Sequence, residues 1–323
     1  MFHNKIFGIK NKSLKSFLAA IFVAGRFEYF IADMLPFITG VFLGLSCISR
    51  DILPYQQILI GLIITICAHY VSVWANVLGD YELDKKFKSY LPKSVDIIGK
   101  QNLIIGIVFM VLLGTFFIIY LTFTVGFVIL VLWIIGIFFA FAYSNEPLRL
   151  KKYIAIGDFS RGIQLVILLP FGFFIVAHYT DFSMSDIVSL LFYTVGLGIN
   201  LFGLFLVGET WDWKDDVGFV NTFATKYGYK VCLNGAIILM PLGIILMMVG
   251  YFIKMSYSNV LQLIYLLLWT VLSCIIMGIF YHYIYSRREQ YERIESKCGI
   301  FTMAGTTAIW SLMAASCYML IVG

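Results

Sequence analysis

The sequence predicts an all-α, polytopic membrane protein, and three observations carry that prediction. Apolar residues make up 61% of the 323 positions and charged residues only 13%, about half the charged share of a soluble domain. The mean hydropathy of +0.92 reflects more apolar surface than a soluble core can bury. Nine separate stretches each approach the roughly 20 apolar residues needed to cross a bilayer.

The chain opens on residues 1–26, which carry Lys5, Lys10, Lys12, Lys15 and Arg26. Its apolar run from Phe17 to Gly25 is too short to span, and Gly25-Arg26 is a poor cleavage context for a signal peptide. This segment reads as an interfacial amphipathic helix with its lysines toward lipid headgroups. Residues 27–323 read as a single membrane domain with spans near 27–48, 56–79, 101–122, 124–143, 160–179, 186–208, 229–253, 258–284 and 300–322.

The distribution of Lys and Arg tests this layout. Residues up to Arg26 and the four alternate connections that follow hold five, five, four, three and four of the 23 basic residues, leaving only Arg50 and Lys254 for the other side. The N-terminus is therefore expected in the cytoplasm and the C-terminus opposite, as an odd number of spans requires. A cytoplasmic (inner) membrane location follows, with the connections after spans two and six facing the cytoplasm. The net charge of +5 is small and sorted by loop, so membrane lipid, not nucleic acid, is the expected partner. The six cysteines show no C-x-x-C pairing and read as small hydrophobes. The four histidines form no H-E-x-x-H set. His69, seven residues before Asn76 on the same helical face, reads as a packed or cavity-lining polar group.

Two acidic stretches stand out: Asn76-Val-Leu-Gly-Asp-Tyr-Glu-Leu-Asp84 and Glu209-Thr-Trp-Asp-Trp-Lys-Asp-Asp216. In the first, Asn76, Asp80 and Asp84 recur every four residues and share one helical face. In the second, Glu209, Asp212 and Asp216 do the same with a three-then-four spacing. Like charges four apart destabilise a helix by about 0.2–0.5 kcal/mol per pair, and a divalent cation reverses that sign. Mg2+ is held by one or two carboxylates plus substrate phosphates. Two such faces on one membrane side suggest a polyphosphate clamped between metals. A solvated loop boundary is the plainer reading of either cluster alone. Their recurrence four spans apart hints at an internal duplication.

Basic and aromatic residues accompany the acids. Lys85, Lys86 and Lys88 read first as topology determinants and lipid contacts; Lys85 and Lys93 are also candidates to bind the anion. Arg149, Lys151 and Arg161 are the stronger candidates, since Arg gives forked donation to phosphate oxygens and Lys a point charge. Trp74, Tyr81, Tyr143, Trp211, Trp213 and Tyr227 are interleaved with the acids. They fit either an interfacial belt or ring faces shielding a carbocation. Tyr143 is placed with the catalytic candidates, and Asn76, Tyr81 and Trp211 with the substrate-binding ones.

These residues resemble the UbiA superfamily of intramembrane prenyltransferases. Asn76-x3-Asp80-x3-Asp84 resembles its first Asp-rich motif, and Tyr143-Ser-x2-Pro147-x3-Lys151 its segment between spans four and five. Asp212-x3-Asp216-x-Gly218-x3-Thr222-x-Ala224-x3-Gly228 resembles the second motif and its tail. The resemblance implies nine helices around a central cavity open sideways to lipid. It further implies Mg2+-dependent transfer of a prenyl group from a polyprenyl diphosphate to a lipophilic acceptor. Asn76, Asp80 and Asp84 would hold one Mg2+, and Asp212 and Asp216 the other. There are departures. Glu209 stands where many members have Asn or Asp, and Leu91-Pro92-Lys93 replaces the usual Arg-Pro. Asp216 lies one residue closer to Thr222 than in many members, which leaves Asp215 open as the ligand. The expected acceptor is an aromatic quinone precursor. An ether-lipid synthase or terpene cyclase of the same fold, or a cation-coupled transporter, are the alternatives.

Overall fold

The computed structural model describes residues 2–48, 53–178, 182–218 and 220–322. Among these there is no strand. Eight helices are long and apolar enough to cross a membrane, and a ninth, Val128–Ser144, is apolar but shorter. The protein is an integral membrane protein of the expected class. Arg50, one of the two basic residues assigned to the far side, lies outside the described residues.

The chain enters through α1 (Phe2–Phe7), α2 (Lys12–Leu18) and a π-helical turn, Ala19–Ala24. This segment packs against the helices that follow. Ile6, Ala19, Val23 and Ala24 are buried against α4 (Tyr55–Gly79) and α6 (Tyr90–Ile98). Trp74 Nε1 donates to the Ala20 carbonyl at 3.0 Å, satisfying backbone in the irregular turn. Arg26 then adopts a left-handed conformation with φ 45° and opens α3 (Phe27–Leu45).

Between α4 and α6 lies the short α5 (Tyr81–Phe87). The membrane helices α7 (Lys100–Thr124) and α8 (Val128–Ser144) follow, joined by a tight turn at Gly126, φ 135°. They present apolar side chains outward, Ile105 and Phe116 being 65% and 67% exposed, as lipid-facing helices do. The fifth span is broken into α9 (Ile156–Val166) and α10 (Leu168–Ala177). Then come α11 (Met184–Asp216), the one-turn α12 (Phe223–Tyr227), α13 (Tyr229–Lys254), α14 (Val260–Tyr283) and α15 (Tyr291–Val322).

Helices cannot associate in lipid by hydrophobicity alone, so small residues and interhelical hydrogen bonds must do it. A Cβ on Gly40 of α3 would fall 1.9 Å from the Leu169 carbonyl oxygen of α10, so these backbones touch. On the other side, Asn200 of α11 donates to the Met240 carbonyl of α13 at 3.1 Å and accepts from Trp310 of α15 at 3.3 Å. The bundle closes around a cavity of about 1070 Å³.

α11 has 33 residues, about 50 Å at 1.5 Å per residue. That exceeds the roughly 30 Å hydrocarbon core and carries the second acidic motif to the cavity mouth on an unbroken helix.

Candidate active site

Both acidic motifs line the same cavity: Asn76, Asp80 and Asp84 from one side, Glu209, Asp212, Asp215 and Asp216 from the other. The first motif is not one continuous helix, as its spacing suggested. α4 stops at Gly79, and Asp80 turns out of helical geometry with φ −101° and ψ 5°. A Cβ on Gly79 would meet the Ser144 carbonyl at 2.7 Å, so α4 ends where it crosses the end of α8. The i→i−4 bonds continue through the break, Asp80 N to Asn76 O at 2.9 Å and Asp84 N to Asp80 O at 2.8 Å. That continuity keeps all three residues facing the cavity. Ser144 Oγ donates to Asn76 Oδ1 at 2.5 Å and fixes the amide.

The second motif does lie on one helix, which persists to Asp216. Asp216 is half-buried and Asp215 exposed. Glu209 is engaged elsewhere: its Oε2 accepts from the Ala224 amide at 3.0 Å, and Asp158 of α9 lies against it with Arg161 beside both.

Four cations line the cavity. Lys151 forms an ion pair with Asp80. Burial pushes the Lys151 ammonium down to about 8, against the opposing pull of Asp216. Lys88 Nζ donates to Asp212 Oδ2 at 3.2 Å, joining the two motifs across the mouth. Arg161 sits 4.3 Å over the Phe205 ring. Arg26 lies among the acids with its Nε buried and without a hydrogen-bond partner among the described residues. Burial pushes the Asp84 carboxyl above its ordinary value, against Lys88 and Arg26. Arg149 does not line the cavity; it stands behind Asp80 at 3.7 Å and beside Glu146 at 3.6 Å.

Other sequence candidates lie outside the lining. Tyr81 donates to Asp96 at 2.6 Å. Lys85 pairs with Glu82 at 3.0 Å, and Lys93 lies 4.9 Å over the Phe7 ring. Of the aromatics first considered, Tyr143 and Trp211 reach the cavity. Trp74 is buried toward the N-terminal segment, Trp213 packs on Tyr229 and Tyr291, and Tyr227 is exposed. The deeper wall is instead built from Trp133, Phe171, Phe205 and Trp310. Their scattered positions on four helices carry no motif.

Among the described residues, no three carboxylates or other metal-binding side chains close on one point. Each motif brings two carboxylates to the cavity, Asp80 and Asp84 or Asp212 and Asp216, the number Mg2+ takes when phosphate oxygens complete its shell. The residues present therefore fit the ion together with a phosphorylated substrate.

The fold is thus an all-α membrane bundle with acids and cations at the mouth of an aromatic-lined cavity. The chain belongs to the UbiA prenyltransferase family, whose model matches residues 34–312, and it is a prenyltransferase. Its fold is similar to that of a digeranylgeranylglyceryl phosphate synthase, at 19% identity, 94% of this chain, 98% of that one and a TM-score of 0.65. A UbiA homologue from Archaeoglobus fulgidus bound to GPP and Mg2+ matches at 14% identity, 95% and 100% coverage and a TM-score of 0.63. An apo UbiA homologue from Aeropyrum pernix K1 matches at 11% identity, 89% and 96% coverage and a TM-score of 0.66. Comparison with curated proteins finds no match.

Proposed function

We propose that this prenyltransferase moves a prenyl group from a polyprenyl diphosphate to the aromatic ring of a lipophilic quinone precursor, with Mg2+ as cofactor. The observation that carries this reading is the convergence of both acidic motifs, Lys88 and Lys151 on one cavity with an aromatic floor. The structural relatives with GPP or DMAPP and Mg2+ bound support the donor and the ion.

Asn76, Asp80 and Asp84 would hold one ion, and Asp212 and Asp216 a second, with Glu209 behind them. Bound there, Mg2+ supplies Lewis-acid neutralisation of the leaving diphosphate. Lys88, Lys151 and Arg26 add fixed positive charge where that group departs, the electrostatic term that dominates such reactions. Trp133, Phe171, Phe205 and Trp310 keep water from the allylic fragment and offer ring faces to its positive charge.

The test is a product screen. Purified protein with geranyl diphosphate, Mg2+ and a panel of phenolic lipid precursors is expected to release diphosphate and yield a prenylated ring, read by mass spectrometry. A glycerol ether or a cyclised hydrocarbon as product would assign the acceptor chemistry to another branch of the fold. No diphosphate release under any condition would overturn geranyl diphosphate as a donor.

The active site is proposed to face the cytoplasm across the inner membrane, supported by the sorting of 21 of 23 basic residues to one side. Reporters fused at residues 90, 150, 220 and 290 are expected to read as cytoplasmic and one at residue 323 as external. Both chain ends on one side would overturn the nine-span orientation.

A further inference from the structure

A second polar group lines the cavity away from the motifs. His69 Nδ1 lies 2.8 Å from Asp33 Oδ2, and His69 Nε2 lies 3.0 Å from the Gly25 carbonyl. The histidine side chain is 1% exposed and the aspartate 18%; both line the cavity. Asp33 sits seven residues into the membrane from Arg26, and His69 seven from Asn76. At 1.5 Å per residue each lies about 10 Å along its helix from those residues. An acid at that depth is costly and marks a functional position.

The hydrogen bonds fix the proton count. A carbonyl only accepts, so Nε2 carries a proton and donates it to Gly25. The contact between Nδ1 and Oδ2 then holds one further proton. The ring can bind no more once both nitrogens are protonated, so an incoming proton must go to the carboxylate. Asp33 Oδ1 has no protein partner among the described residues.

Resting on the transferase reading above, we infer that Asp33 is the catalytic base of the acceptor half-site, that His69 positions it, and that the acceptor is a phenol uncharged at its reacting end. The phenolic O–H donates to Oδ1 and passes its proton there as a ring carbon bonds to the allylic C1. The C1–O bond breaks, its electron pair leaving with diphosphate. The resulting dienone regains aromaticity by shedding its ring proton to the departing diphosphate and taking a proton back on oxygen from Asp33. A phenol attacking a carbocation gives up its proton readily, and the carboxylate oxygen facing the cavity is placed to take it.

The same chamber disfavours an acceptor with a carboxylate at that end. Arg26 faces Glu28 at 3.8 Å, Lys88 and Lys151 pair with Asp212 and Asp80, and Arg161 faces both Asp158 and Glu209. Each of the four lining cations thus already has an acid beside it, and a second negative charge beside Asp33 would have to compete for one.

Asp33→Asn tests this without an unpaired group, since the Asn amide can donate to Nδ1. The assay pairs geranyl diphosphate and Mg2+ with 2-naphthol, or with a fluorinated naphthol already ionised at assay pH. Thermal unfolding in detergent checks that the variant folds. Coupled product per diphosphate released should fall at least about tenfold on 2-naphthol, within the range for loss of a base, with geraniol formed instead. On the ionised naphthol the variant should come within about threefold of wild type. Asp33→Glu should recover more coupling than Asp33→Asn on 2-naphthol. An equal loss on both naphthols, or no loss on either, would overturn the base. Wild-type protein that releases diphosphate yet couples neither naphthol would overturn the phenolic acceptor. Wild-type protein that releases no diphosphate at all would instead overturn the transferase reading.

Discussion

Asp212→Ala is expected to lower Mg2+-dependent diphosphate release by about a thousandfold with the bundle still folded, and EDTA is expected to do the same to wild type. One fixed contact to charge developing in a dry site is worth 10²–10³ in rate, roughly 3–4 kcal/mol. Asp212 is the cleaner of two residues to remove. Its partner, Lys88, is 32% exposed and can turn to water, and pairs of that kind contribute about 0–1 kcal/mol to stability. Asp80→Ala should abolish release equally but also lower the thermal midpoint. It strips the partner from Lys151, whose side chain is only 11% exposed, and leaves Arg149 beside it. Diphosphate release measured with and without chelator, alongside the unfolding midpoint, separates the two. Full activity of either variant, or of wild type in metal-free buffer, would remove the two-ion proposal.

Asp216→Asn is expected to cost at least about a hundredfold in the same assay, and Asp215→Asn about tenfold or less. Asn keeps the shape and removes the charge, so the comparison reads coordination and not packing. Adjacent residues on a helix point about 100° apart, and α11 remains helical through both. Asp216 shares the face of Glu209 and Asp212 and is half-buried, whereas Asp215 is exposed. The reverse order of effects would make Asp215 the ligand.

The membrane layout was legible because its signals are local. Apolar length is read residue by residue, and all nine predicted spans correspond to helical segments. The acidic motifs were legible for the same reason, since a four-residue spacing needs no knowledge of the rest of the fold. What escaped depends on residues distant in sequence. Arg26 read as one more topology charge, and only the packing of Ala19, Val23 and Ala24 under α4 brings it to the cavity. Lys88 was grouped with Lys85 and Lys86, yet α5 ends one residue before it and releases it toward Asp212. Asp33 and His69 stand 36 residues apart. A signal for Asp33 did exist: it is an acid well inside an apolar span, beyond the first turn that holds Glu28. Tyr81, Lys85 and Lys93 stand near the first motif along the chain, yet their side chains turn to Asp96, Glu82 and Phe7 and stay out of the cavity lining.

The ends of α4 and α11 at the cavity mouth have an electrostatic consequence of their own. Peptide dipoles add along a helix and leave about half a negative charge at its C-terminal end. Both of these helices turn that pole toward the mouth, and each carries its carboxylates on or just beyond it, the reverse of what stabilises a helix end. A bare diphosphate approaching from water therefore meets two like poles as well as the acids. It crosses that field most readily with its charge largely offset, so the donor should enter accompanied by its cations.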